Sequence, residues 1–103
     1  MAQVTFDTIE PVHVRTGRAL LNLSTRQFAE AVGTPLTIDK LKALEAGRAT
    51  SADVRQAVLD AFEKFGVELQ NSGRPGARVK DVGAWMVATG EKVNLKPMKD
   101  DLS

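Results

Sequence analysis

Residues 24–47 constrain the fold more than any other part of this 103-residue chain. Ser24 is typical of a helix N-cap, where a side-chain oxygen accepts a hydrogen bond from a free amide of the first turn. Phe28, Ala29 and Val32 then recur at the spacing of a single helical face. The pattern predicts a short amphipathic helix that begins directly after Ser24.

A second short helix is predicted after a turn. Gly33 suits the end of the first helix, and Pro35 keeps the residue before it out of the helical region. Thr37 is the next candidate cap. The predicted buried edge contains Ile38, Leu41 and Leu44, and the outward residues are Asp39, Lys40, Lys42 and Ala43. Two such helices form the core of a helix-turn-helix, predicted at about residues 25–46.

One helix is predicted on either side of this pair. Pro11 suits the first turn of a helix over about residues 12–21. Its expected core-facing residues are Val12, Thr16, Ala19, Leu20 and Leu23. We expect His13, Arg15 and Arg18 to face solvent, and Gly17 to permit a close helix approach. After the Ser51 cap, the strongest helical stripe in the chain consists of Val54, Ala57, Val58, Ala61, Phe62 and Phe65.

The C-terminal third predicts a β-hairpin followed by a short element. Apolar and polar residues alternate on both sides of a loop-rich stretch, which predicts a hairpin at about 67–80. Two structures are possible after the hairpin: a short helix that Asp81 caps and that ends at Gly90, or a third strand at 84–88. We favour the helix. Trp85 either fills the core or anchors an interface. Residues 91–103 are predicted to be a flexible tail.

Two further predictions concern residues 1–10 and the packing of the hairpin. Val4–Phe6 form either a short strand or part of a flexible arm. Because a two-stranded hairpin is only marginally stable alone, we expect it to pack on the helices or on a second copy of the chain. The predicted dimer interface contains Val67, Leu69, Val79, Trp85 and Met86.

The ordered set of these residues resembles the helix-turn-helix domain of the Xre/phage-repressor class of bacterial transcriptional regulators. The resemblance spans Ile9 to Lys80 and rests on Arg15, Arg18, Leu20, Leu21, Leu23, Ser24, Phe28, Ala29, Glu30, Gly33, Leu41, Leu44, Glu45 and Gly47. The segments 65–69 and 76–80 are similar to small one-domain members that end in a β-hairpin. The resemblance implies a mostly α, four- to five-helix repressor-like domain at 11–66, with a small hairpin and short element at 67–90.

The resemblance implies a sequence-specific regulator that reads the DNA major groove as a homodimer on a two-fold operator. The expected DNA contacts are Thr25, Arg26, Gln27, Thr37, Asp39, Lys40, Lys42 and Arg48. Lys40 and Lys42 suit guanine edges or phosphates, whereas Asp39 is repelled by phosphates unless it accepts from a cytosine amine. In the family a Gln often stands where this chain has Thr25.

A second hypothesis is that the fold binds a protein instead of DNA. The net charge is only +1, so the whole chain exerts no strong attraction on nucleic acid. Asp39 lies on the expected reading helix, and the connection after Gly33 is about two residues longer than in the resembled family. An antiactivator or adaptor that binds a partner such as a transcriptional activator, and not DNA, is therefore the alternative.

Composition argues against an enzyme. The chain has one histidine, His13, and no cysteine, so neither a metal site nor a nucleophile–base pair is suggested. No phosphate-binding glycine loop is present, and we expect no cofactor. The chain shows no apolar run that predicts a secretory signal or a bilayer span, so a cytoplasmic location is expected.

Overall fold

The computed structural model describes residues 4–71 and 74–93, with the side chains of 91–93 excepted. These residues form a mostly helical fold with one small antiparallel sheet, which confirms the predicted mostly α class. The elements are α1 Pro11–Leu21, α2 Thr25–Val32, α3 Ile38–Glu45, α4 Ala52–Lys64, β1 Val67–Gln70, β2 Gly76–Val79 and α5 Val82–Val93. Among these helices, none has both the length and the apolar character needed to cross a bilayer.

The centre of the core lies where α2 and α4 meet α1. The rings of Phe28 and Phe62 stack with centroids 4.9 Å apart, and both side chains are fully buried. Gly17 of α1 lies directly against Phe62, because a Cβ added there would come within 2.6 Å of the ring. The small residue therefore makes room for one ring of α4, and not for the close helix approach that was predicted.

The predicted buried face of α1 is wrong by about one residue. The buried residues of this helix are His13, Val14, Gly17 and Leu21. Of the residues predicted to face the core, Ala19 is exposed, and Val12 and Thr16 are half-buried. Leu20 and Leu23 are also half-buried, but they pack against the core. Apolar residues occupy more than one face of this helix, so its periodicity did not define a single register.

His13 is buried, which corrects the expectation that it faces solvent. Its Nδ1 accepts a hydrogen bond from the Glu10 amide at 2.9 Å, so the ring proton is on Nε2. Nε2 donates to the carbonyl of Gln70, also at 2.9 Å. The side chain thereby links the first turn of α1 to the end of β1.

The predicted hairpin is present with antiparallel register. Val67 pairs with Val79, and Leu69 with Ala77. Val67 and Leu69 lie in the chain's own core, with 3% and 8% of their surface exposed. Their assignment to a partner interface is therefore wrong, because the helices already cover the inner face of the hairpin.

The segment after the hairpin is helical, as favoured, but longer than predicted. Asp81 accepts a hydrogen bond from the Ala84 amide at 3.1 Å and caps α5. The helix continues through Gly90 to Val93, so Gly90 is not its end and residues 91–93 are not tail. The remaining predicted tail, residues 94–103, lies outside the described residues. Trp85 is half-buried and its indole donates to the carbonyl of Leu20 at 2.8 Å, which fits its predicted place in the core.

The described part of the N-terminal segment forms a turn. The Thr5 carbonyl accepts from the amides of Thr8 and Ile9 at 3.0 and 2.9 Å. Val4 and Ile9 are buried, so residues 4–9 are neither a strand nor a free arm. The Arg55 guanidinium of α4 donates to the Phe6 carbonyl at 2.7 Å and fixes this turn to the domain.

Candidate nucleic-acid interface

The start of α2 is closed by a reciprocal cap. Ser24 Oγ accepts from the Gln27 amide at 3.1 Å, and Gln27 Oε1 accepts from the Ser24 amide at 2.9 Å. This confirms the predicted cap and is the capping-box arrangement. Gln27 therefore has its side-chain oxygen engaged, and only its amide N–H groups are free to donate to a ligand. Arg26 is exposed beside it, whereas Thr25 is half-buried.

The connection between α2 and α3 is compact although it is long. Gly33 has a positive φ of 78°, and the Leu36 amide returns to the Gly33 carbonyl at 2.9 Å. The Thr34–Pro35 peptide bond is cis. Leu36 is buried with 4% of its surface exposed, so the additional residues place an apolar side chain in the core instead of forming a loop in solvent.

Helix α3 turns the predicted edge inward. Leu41 and Leu44 are buried, and Thr37 Oγ1 caps the helix by accepting from the Lys40 amide at 3.2 Å. Asp39, Lys40 and Lys42 are all exposed, as predicted. The Thr37 hydroxyl still has its proton available for a donor contact, because it acts only as an acceptor in the cap.

The three exposed charged residues of α3 do not form one basic stripe. At about 100° per residue, Asp39 lies near the middle of the exposed side, with Lys40 and Lys42 roughly 160° apart on its two flanks. Ala43 follows Asp39 by four residues and leaves the same side unobstructed by a long side chain. A carboxylate therefore occupies the centre of the face, and the cations lie at its edges.

Lys40 is engaged by the protein itself. Its Nζ donates to the Pro35 carbonyl at 3.3 Å. The pKa of Asp53, at the start of α4, is lowered mainly by the hydrogen bond from Ser51, with smaller contributions from the Val54 amide and the Lys40 charge, against desolvation that raises it. The Ser51 hydroxyl thus bonds to Asp53, and it makes no side-chain cap to the α4 backbone of the kind predicted.

Lys42 and Arg48 have no such attachment. Neither side chain has a hydrogen bond or ion pair among residues 4–71 and 74–93, and both are exposed. Arg48 follows Gly47, and its amide returns to the Ala43 carbonyl at 2.8 Å, which holds it next to the end of α3. Together with Arg26, these are the cations of the candidate face that are least restrained.

Two arginines of α1 fasten this helix to α3. Arg15 is exposed, as predicted, whereas Arg18 is half-buried and not on the solvent side. Arg18 makes a bidentate ion pair with Glu45, at 2.8 Å from Nε and 3.0 Å from Nη2, and also donates to the Leu23 carbonyl. Arg15 donates to the Glu45 carbonyl at 2.7 Å. Bidentate geometry and 21% and 13% side-chain exposure make this pair stronger than an ordinary surface pair. It fixes the end of α3 relative to α1.

The predicted contact residues thus come from three neighbouring parts of the chain: the start of α2, helix α3 and the residue after Gly47. Comparisons with protein families, with curated proteins and with solved structures find no match to this chain. The assignment of a function therefore depends on the geometry of these elements alone.

Proposed function

We propose that this protein is a sequence-specific DNA-binding regulator and that α2 and α3 form its helix-turn-helix. The observation that carries the proposal is the orientation of α3. Leu41 and Leu44 fix one side of this capped helix in the core, and Asp39, Lys40 and Lys42 are exposed on the rest of its surface. A helix held in this way is suited to the major groove, which admits an α-helix. We further propose a cytoplasmic binding protein, and not an enzyme.

In this proposal α3 reads base edges and its surroundings bind phosphates. Asp39 lies near the N-terminus of α3, the end that contacts bases in helix-turn-helix proteins. Lys42 reaches a base edge or phosphate from one flank. We assign Arg26, the Gln27 side-chain amide and Arg48 to phosphate contacts, because all three side chains are exposed.

The two lysines of α3 are expected to contribute unequally. Removal of Lys42 should weaken binding more than removal of Lys40, because Lys40 is already bonded to Pro35 and lies near Asp53. We expect Lys42→Ala to weaken duplex binding by roughly three- to tenfold at physiological salt, and to reduce the slope of log affinity against log salt by about 1. Lys40→Ala should have a smaller effect in the same direction.

Fluorescence anisotropy with a labelled duplex, at several salt concentrations, measures both quantities. Lys80→Ala is the matched control, because Lys80 is an exposed lysine beside the hairpin and not on α3. Melting temperatures should be unchanged in all three variants. If the unaltered chain, Lys40→Ala and Lys42→Ala bind the duplex equally, α3 is not part of the DNA interface.

We also propose that the regulator is a homodimer that pairs through α5. Val82, Met86 and Val87 are 57%, 58% and 65% exposed, and residues 82–90 contain no charged side chain. An uncharged face is compatible with a two-fold contact, in which the same patch meets itself without repulsion. Of the residues predicted for the interface, Met86 belongs to this face, while the half-buried Val79 and Trp85 can contribute only at its margin.

Sedimentation equilibrium of the full chain tests the dimer. We expect a concentration-dependent dimer that Met86→Glu converts to monomer, since a buried unpaired carboxylate is costly. Ala31→Glu, at an exposed position of α2, should leave the association unchanged. A chain that stays monomeric at all concentrations would disprove the dimer, without bearing on α3.

A second candidate function is supported by the position of Asp39. A carboxylate at the centre of the exposed α3 face, in a chain of net charge +1, also suits an adaptor that binds another protein. The salt series separates the two functions. DNA binding through phosphates weakens steeply with salt, whereas an adaptor would give no salt-dependent duplex complex at all.

A further inference from the structure

Asp39 is the one acidic side chain in the middle of the exposed face of α3, and its position raises a question about base recognition. It is the second residue of the helix, is exposed, and has no ion pair or hydrogen bond through its side chain among the described residues. Ala43, four residues further on, cannot shield it. When this face enters a DNA groove, the carboxylate is therefore directed at the base edges.

The donor pattern of the major groove limits which base can satisfy an ionised carboxylate. Guanine presents only acceptors, O6 and N7, and thymine presents an acceptor and a methyl group. Adenine has an amino donor, but its N7 acceptor lies directly beside it. Cytosine offers the N4 amino group without a neighbouring acceptor on the same base, and is the partner that carboxylates take.

We infer that Asp39 is a specificity-determining residue that selects cytosine at one position of each half-site. The inference rests on the proposed DNA-binding function and adds to it the base that is read. The carboxylate accepts a hydrogen bond from cytosine N4, and no other base can offer this contact without an adjacent repulsive acceptor. Asp39 thus discriminates against guanine, thymine and adenine at this position. Lys42 and Arg48 attract the DNA electrostatically, whatever its sequence.

The substitution Asp39→Asn gives a sharp test, because Asn has a different preferred partner. Asn pairs with adenine in a bidentate manner, through N6 and N7. Selection of bound duplexes from a random library should show cytosine at one position for the unaltered chain and adenine there for Asp39→Asn. Asp39→Ala should leave that position without a preference. We expect the cytosine preference of the unaltered chain to be roughly tenfold, at the lower end of what a specific base contact gives.

Asp60→Asn is the matched control, since it makes the same chemical change at an exposed position of α4. It should select the same sequences as the unaltered chain. Circular dichroism confirms that each variant is folded. If the unaltered chain enriches a sequence and Asp39→Asn and Asp39→Ala enrich the identical one, the role of Asp39 is refuted while DNA binding stands. If the unaltered chain enriches no sequence, the proposed function and this inference both fail.

Discussion

Leu41→Ala is expected to lower the free energy of unfolding by about 2–5 kcal/mol. Leu41 is fully buried in the middle of α3, where it packs in the same core cluster as Phe28 and Val58. Alanine removes the buried methyl groups and leaves a cavity that surrounding helices can fill only in part. The loss should be at the upper end of this range if the Arg18–Glu45 pair prevents α3 from moving inward.

Chemical denaturation followed by circular dichroism measures this change. Lys42→Ala is the control on the same helix, because the neighbouring residue is exposed and its replacement should change stability by less than about 0.5 kcal/mol. Similar melting of the two variants would show that α3 has a different register, and the proposed groove-facing side would then be assigned to the wrong residues.

The parts of the fold that could be predicted from sequence are those set by local chemistry. The caps at Ser24 and Thr37 lie within three residues of the amides they accept from, so the signal is contained in a short stretch. The α4 stripe has a single apolar face and gave the correct buried residues, among them Val54, Val58 and Phe62.

The errors involve contacts between residues far apart in the chain. His13 is buried because a carbonyl 57 residues away accepts from it, and Arg18 is withdrawn from solvent by Glu45, 27 residues away. Periodicity cannot report such partners, so polar side chains were assigned to solvent by default. A signal for Arg18 existed in the resemblance itself, which included both Arg18 and Glu45, but nothing in the spacing indicated that they meet.

The sequence predicted which side chains of the candidate site are exposed, but not the hydrogen bonds between them and the rest of the chain. Asp39, Lys40 and Lys42 are exposed as the helical period required, and Arg48, which follows the helix, is exposed as well. The bond from Lys40 to the Pro35 carbonyl depends on how the longer connection folds, which no local rule specifies. This contact divides the two lysines into one that is partly engaged and one that is free, and it is why their removal should have unequal effects.

Gly66→Ala is expected to be strongly destabilising, by about 2–5 kcal/mol. Gly66 has a φ of 80°, which costs an L-residue roughly 1–2 kcal/mol, and a Cβ there would lie 2.3 Å from the Asp81 carbonyl oxygen and 2.8 Å from the Trp85 amide. Both neighbours are backbone, so no flexible side chain can move aside. The start of α5 must shift, at an overpacking cost of about 1–3 kcal/mol.

Gly47→Ala separates the two costs. Gly47 has nearly the same φ, 79°, and an added Cβ would lie 3.7 Å from the Pro11 ring, an ordinary van der Waals distance, so only the backbone cost applies. Its destabilisation should be smaller than that of Gly66→Ala by the overpacking cost. Trp85 is the sole tryptophan and its indole donates to Leu20, so its fluorescence reports α5 directly. The emission should shift to longer wavelength in Gly66→Ala and not in Gly47→Ala. Equal losses of stability with unchanged emission would mean that α5 does not pack on Gly66. The residues assigned to the exposed dimer face of α5 would then be wrong.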